Sequence, residues 1–167
     1  VTAEIGATAP FEAQKAQAIC ARTYTEQNIN RHKNDGFNLC STTHCQAYIG
    51  TKWEREQATK AVDETDKMIL TYGGKPISAV YFAHSGGYTA NVEDVWGSPY
   101  PYLKSVEDKY CTDYTWEYTI DYDKITNRMN EKGYNLGEVY DIKITDATEH
   151  GLVKKLVITG TNGSKTF

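Results

Sequence analysis

The sequence predicts an α+β fold, N-terminal helices packed with a largely antiparallel sheet and cut at both ends. Three observations predict it. An alanine- and glutamine-rich run follows Pro10, and a second helical run follows Thr51. Later runs of β-formers are separated by Gly-Gly, Glu-His-Gly and Asn-Gly turns. Helices come early and strands late, as an α+β chain requires.

The first element is Glu4-Ile5-Gly6-Ala7-Thr8-Ala9-Pro10 with the helix it opens over 11–30. Thr8 is placed to cap that helix, and Pro10 suits its first turn, where a missing N–H costs nothing. Alanines along the run permit close packing on several sides. Arg22, inside it, needs a carboxylate or backbone carbonyls to offset its burial. From Arg31 to Gly50 the periodicity stops after an Asn34-Asp35-Gly36 turn, leaving a long stretch that needs something to hold it. A capping box, Thr51-Lys52-Trp53-Glu54, then starts a helix ending near Asp66.

Residues 68–72 and 76–82 flank Gly73-Gly74 and read as a hairpin. A polar, glycine-rich loop follows through Gly97, then a stiff aromatic corner at 98–102. Residues 116–122 alternate as a strand, and 123–132 read as a short helix closed by Gly133. Residues 139–145 and 152–159 pair as antiparallel strands, and Asn162-Gly163 opens another hairpin. The whole is one domain, 1–167, in which 111–167 form a C-terminal α/β extension of 1–110. Residue 1 already falls within patterned sequence and 164–167 begin a strand, so the domain is expected to be cut at both ends.

A formal net charge of −4 argues against a broad nucleic-acid footprint. Thirteen tyrosines and three tryptophans suit either a wet groove for a polar polymer such as a glycan or a sheet surface. No window is apolar for the length of a membrane span.

Three constellations carry chemistry. Cys40-Ser41-Thr42-Thr43-His44-Cys45 sets three soft or borderline ligands within six residues, with His32 upstream as a fourth. That set suits a structural zinc; Cys40 and Cys45 alone also suit a small disulfide loop or a pair of buried thiols. His84-Ser85-Gly86-Gly87 offers an imidazole, a hydroxyl and backbone N–H groups to an anion or sugar, or is simply a turn leaving an edge strand. It lacks the G-x-S-x-G pattern of a serine hydrolase. Glu93-Asp94, beside Trp96, supplies the carboxylates that hydrolysis by a two-carboxylate route would pair with Glu4. Cys20 and Cys111 read as buried thiols, with a bridge between them as the alternative.

The chain resembles the stage II sporulation protein D family, which includes the amidase enhancers. The resemblance runs through Glu4-Ile5, then Glu12-Ala13-Gln14-Lys15-Ala16-Gln17-Ala18-Ile19-Cys20-Ala21-Arg22-Thr23-Tyr24. It continues through Thr42-Thr43-His44-Cys45-Gln46-Ala47-Tyr48, Ser85-Gly86-Gly87-Tyr88-Thr89, Glu93-Asp94-Val95-Trp96 and Pro101-Tyr102-Leu103.

The resemblance implies a peptidoglycan lytic transglycosylase acting during sporulation engulfment. It would cleave the N-acetylmuramic acid–N-acetylglucosamine bond of peptide-stripped glycan strands to leave 1,6-anhydro ends. Glu4 would be the catalytic acid and base, a role that asks for partial burial. Tyr24, Tyr48, His84, Ser85, Gly86, Gly87, Tyr88 and Trp96 would bind the strand. His32, Cys40, His44 and Cys45 would hold a structural zinc, His32 being the member most dependent on loop length. The setting implied is extracytoplasmic and facing the cell wall, with an amidase partner and a membrane anchor ahead of residue 1. The alternative is a non-catalytic glycan-binding module that recruits or stimulates an amidase.

Overall fold

The computed structural model describes residues 1–112 and 114–167. The chain forms two compact units, Val1–Ala83 and His84–Phe167, so the Ser-Gly-Gly stretch opens the second unit. Together they show the α+β composition expected, helices first and antiparallel strands last. Among the described residues no helix is long and apolar enough to cross a membrane.

The first unit begins with a short helix the sequence reading had not drawn, α1 (Thr2–Ile5), which carries Glu4. Gly6 ends it at φ 75°, a backbone angle glycine adopts without strain. The long helix α2 (Phe11–Gln27) follows. Its N-cap is Pro10, and no side chain caps it, so Thr8 does not act as the cap. The Gln14 amide does the local work instead, donating to the carbonyls of Ala9 (2.8 Å) and Ala7 (3.3 Å) and pinning the chain that leads in from Glu4.

The expected capping box also does not form. Thr51–Trp53 is a 3-10 turn without a side-chain cap, and α3 (Glu56–Glu64) starts from Arg55 in an extended conformation. Ala18 on α2 and Ala58 and Ala61 on α3 are buried, their small side chains allowing close helix packing. Arg22 resolves as expected, with backbone carbonyls: Nη1 donates to Thr65 (2.7 Å) and Met68 (2.9 Å), and Nη2 to Val62 (3.4 Å). The hairpin is shorter than its pattern: β1 (Thr71–Tyr72) pairs antiparallel with β2 (Lys75–Pro76) around Gly73 and Gly74, both at positive φ. Pro76 faces Thr71, a pair that needs no N–H from it, and beyond it Ile77 N–H donates to the Leu70 carbonyl (3.1 Å).

In the second unit a five-residue helix, α4 (Val92–Trp96), stands where a loop was expected. Residues 116–121 enter no strand ladder and are exposed; the pattern alternates, but no second strand pairs with it among the described residues. Helix α5 (Tyr122–Glu131) follows, with Gly133 just beyond its end. It packs on a three-stranded antiparallel sheet, order β3 (Val139–Ala147), β4 (Val153–Gly160), β5 (Gly163–Thr166). The core between them is Ile125, Leu136, Val139 and Ile158, flanked by Met129, Ile142 and Leu156.

Candidate active site and metal centre

Glu4 lies solvent-exposed on α1, without the partial burial expected of it, because a four-residue helix has no flank to cover its side chain. Tyr81 is its neighbour, near enough for the Glu4 charge to act on the hydroxyl. Burial, with the Glu4 charge beside it, pushes that hydroxyl above the ordinary tyrosine range. Tyr81 was not among the sequence-derived site residues. It sits in a run read only as strand, and nothing local relates it to residue 4. Gln14 and Gln17 of α2 are both buried, and Gln14 Oε1 and Gln17 Nε2 have no hydrogen-bond partner.

The loop after α2 brings His32, Cys40, His44 and Cys45 together, one ligand atom from each within 4.8 Å of the others. Among the described residues this is the group of histidine, cysteine and carboxylate side chains placed to coordinate a metal ion. His44 Nδ1 stands 3.6 Å from Cys40 Sγ and 3.5 Å from Cys45 Sγ. His32 Nε2 is buried with no hydrogen-bond partner, while its Nδ1 is 2.8 Å from Asp35 Oδ2. Hydrogen bonds from Thr42 and then His44 lower the Cys40 thiol to about 5, so it is a thiolate at neutral pH and a ready ligand. The Asp35 carboxylate pushes the His32 imidazole up, against the opposing effect of burial. All four cysteines of the chain are free thiols, so neither the Cys40–Cys45 loop nor a Cys20–Cys111 bridge is formed. Burial pushes the Cys20 thiol up.

Tyr24 and Tyr48 flank this loop differently. Tyr24 Oη accepts a hydrogen bond from Arg31 Nη1 at 2.8 Å, whereas Tyr48 is two-thirds exposed.

In the second unit the His84–Gly87 turn uses its own donors. Gly86 N–H donates to His84 Nδ1 (3.1 Å), and Gly87 N–H to Ser85 Oγ (3.1 Å). Ser85 Oγ donates in turn to Asp108 Oδ2 at 2.8 Å. His84 Nε2 donates to the Thr112 carbonyl at 2.7 Å, which fixes the neutral ring as the Nε2–H tautomer with Cys111 Sγ 3.3 Å away. The free N–H cradle anticipated for an anion is therefore already filled by the turn's own acceptors. Tyr88 stacks flat on His150, centroids 3.7 Å apart and 4° between planes, and Trp96 is exposed. Glu93 is held by Lys104 (2.6 Å) and Asp94 by Lys154 (2.8 Å), each lysine pulling its carboxyl below the usual range. Carboxylates held ionised in this way make poor proton donors.

Residues 1–72 match the family model SpoIID, stage II sporulation protein. At the family level the chain is similar to SpoIID and the amidase enhancer. It is 32% identical over 152 residues to an uncharacterized Brachyspira hyodysenteriae protein, an alignment covering 89% of this chain and 41% of that one. It is 38% identical over 125 residues to the stage II sporulation protein D of Bacillus subtilis, covering 66% of this chain and 36% of the relative. To the amidase enhancer of Bacillus subtilis it is 35% identical over 117 residues, covering 70% and 16%. The chain thus spans well under half the length of these curated relatives. The SpoIID-matched stretch holds Glu4, Tyr24, Tyr48 and all four residues of the cluster placed to coordinate a metal ion. The stretch from His84 to Trp96 lies outside the SpoIID match, in the second unit.

Proposed function

We propose that the chain carries the glycan-cleaving site of an extracytoplasmic, cell-wall-facing lytic transglycosylase that remodels peptidoglycan during sporulation engulfment. The observation that carries this reading is Glu4, an exposed carboxylate inside the SpoIID-matched stretch with Tyr81 as its neighbour. One carboxyl group suffices for the reaction. Protonated Glu4 gives its proton to the glycosidic oxygen between N-acetylmuramic acid and N-acetylglucosamine as that bond breaks. The resulting carboxylate then takes the proton of the muramoyl 6-hydroxyl, whose oxygen attacks C1 and closes a 1,6-anhydro ring. A bound strand lying over exposed Glu4 supplies the water exclusion this chemistry needs. The ion pairs on Glu93 and Asp94 favour this single-carboxylate route over a hydrolysis that recruits either of them. Tyr24, Tyr48, Tyr88 and Trp96 are the aromatic contacts proposed for the peptide-stripped strand. His84, Ser85, Gly86 and Gly87 hold the turn that presents Tyr88 and add polar contacts.

His32, Cys40, His44 and Cys45 fit a structural zinc. Zinc bonds of about 2.3 Å to sulfur and about 2.0–2.1 Å to nitrogen set S···N edges of a tetrahedron at about 3.5–3.6 Å. The His44–Cys40 and His44–Cys45 separations, 3.6 and 3.5 Å, match that edge. The orphaned Nε2 of His32 is a buried acceptor in need of a partner. Bound there, zinc would cross-link a loop that has little regular structure of its own.

The relative named amidase enhancer favours a second reading, a wall-binding module that recruits or stimulates an amidase. An amidase partner and a membrane anchor in the whole protein belong to the proposal under either reading. Mass spectrometry of peptide-free glycan strands incubated with the protein and with Glu4→Gln separates the two. Anhydro-ended fragments that vanish with the substitution support cleavage by Glu4. Saturable strand binding without new chain ends supports the module.

A further inference from the structure

The 3-10 turn Lys33–Asp35 does more than connect α2 to the metal-ligating loop. It closes through Asp35 N–H on the His32 carbonyl (2.9 Å), and Gly36 reverses the chain at φ 83°. Two groups are thereby folded back onto one imidazole. The Asp35 carboxylate meets His32 Nδ1 at 2.8 Å, and the Phe37 ring stacks on the His32 ring with centroids 4.7 Å apart and 20° between planes. The chain beyond is held in register by His32 N–H on the Asn38 carbonyl (3.2 Å) and by Asn38 Nδ2 on the Ile29 carbonyl (2.7 Å).

A neutral imidazole carries one proton and can place it on either nitrogen. A carboxylate at Nδ1 accepts that proton's hydrogen bond and leaves the Nε2 lone pair exposed to the ligand cluster. Nε2 is the buried His32 atom with no partner. The second histidine works the other way round. His44 faces both sulfurs through Nδ1, and its Nε2 lies 3.4 Å from Arg31 Nη2, a group that only donates and cannot fix a proton there.

We propose that Asp35 is the positioning residue of the metal centre, its carboxylate fixing the tautomer and angle of His32 so that Nε2 is the ready ligand. This rests on the reading of His32, Cys40, His44 and Cys45 as a zinc site. Outer partners of this kind typically change metal affinity by about 10–100-fold when removed. Phe37 is the packing wall that keeps the ring from turning.

The test is competitive titration of zinc against a chromophoric chelator, using the whole chain as wild type, Asp35→Ala and Asp35→Asn, with cobalt substitution alongside. Asp35→Ala is expected to bind zinc about 10–100-fold more weakly. Asp35→Asn, whose amide oxygen still accepts from Nδ1–H, is expected to fall between. Cobalt–thiolate bands should persist in both variants, because Cys40 and Cys45 are untouched. Wild-type affinity in Asp35→Ala overturns the proposal while leaving the metal site standing. A wild type that takes up neither zinc nor cobalt overturns the metal site and the proposal together. Nitrogen-15 shifts of His32 in the metal-free wild type, at a pH where the ring is neutral, need no variant. An Nδ1–H signature is expected, and an Nε2–H signature overturns the proposal.

Discussion

Lys154 Nζ stands 2.8 Å from Asp94 Oδ1 and ties helix α4 to strand β4. Asp94 has only 13% of its side chain exposed, and the Asn91 amide donates to its other oxygen at 3.3 Å. These bonds, Lys154 first, hold its carboxyl below the ordinary range. A depressed carboxylate contributes stability above the unfolded-state value of about 3.9 and loses it as pH falls through the folded value. The second unit should therefore weaken on acidification below about pH 4. Denaturant melts across acidic pH check this: the gap between wild type and Asp94→Asn should close as pH drops.

Arg22 caps the end of α3 from a neighbouring helix through three carbonyls. Replacing it with methionine keeps much of the apolar stem and removes the donors. The expected loss is about 2–3 kcal/mol, since charged hydrogen bonds go and the acceptors are left poorly paired. Arg22→Lys should recover only part, because one ammonium cannot reproduce the fork. Denaturant midpoints of the three proteins decide it.

Gly160 has an ordinary φ and is glycine for a steric reason. A Cβ there would overlap the Leu136 carbonyl oxygen and come within 3.0 Å of the Glu138 oxygen. Backbone cannot rotate away as a side-chain tip can. Gly160→Ala is expected to cost about 3 kcal/mol or more, read as a fall in melting temperature.

Zinc removal should act locally before it acts globally. With zinc at about a thousand times its Kd, binding adds about 4 kcal/mol to the folded state, and a chelator takes that away. Amide hydrogen exchange should then rise over residues 31–50 while strands β3–β5 keep their protection. Uniform protection with and without chelator would sink the structural role proposed for the metal.

The Tyr81 hydroxyl is the near partner of Glu4. Tyr81→Phe keeps the ring and deletes the hydroxyl available to that carboxylate. A loss of about 1–1.5 kcal/mol in the transition state corresponds to about a tenfold slower glycan cleavage, with strand binding unchanged. Equal weakening of binding and turnover would instead mark Tyr81 as a wall of the groove.

What the sequence by itself determined were features whose cause lies within a few residues. Helix α2 follows from alanine and glutamine propensity, the turn at Gly73-Gly74 from two positive φ angles, and the β3–β4–β5 meander from alternation broken by turn residues. The clustering of Cys40, His44 and Cys45 was legible because six residues cannot separate them far, and Arg22 announced its need for acceptors by being charged within an alanine-rich helix. Tertiary structure decided whatever depended on a partner distant in sequence. Residues 116–121 alternate, yet alternation specifies a strand's two faces and supplies no second strand to bond. The capping pattern at Thr51 lost to the packing that starts α3 at Glu56, and the Gln14 amide took the place expected of Thr8. Tyr81 reached Glu4, and His32 joined the cysteines, through chain reversals that no local spacing encodes. A side chain's chemistry is written at its own position, but its neighbours across space are chosen by the burial of the whole unit.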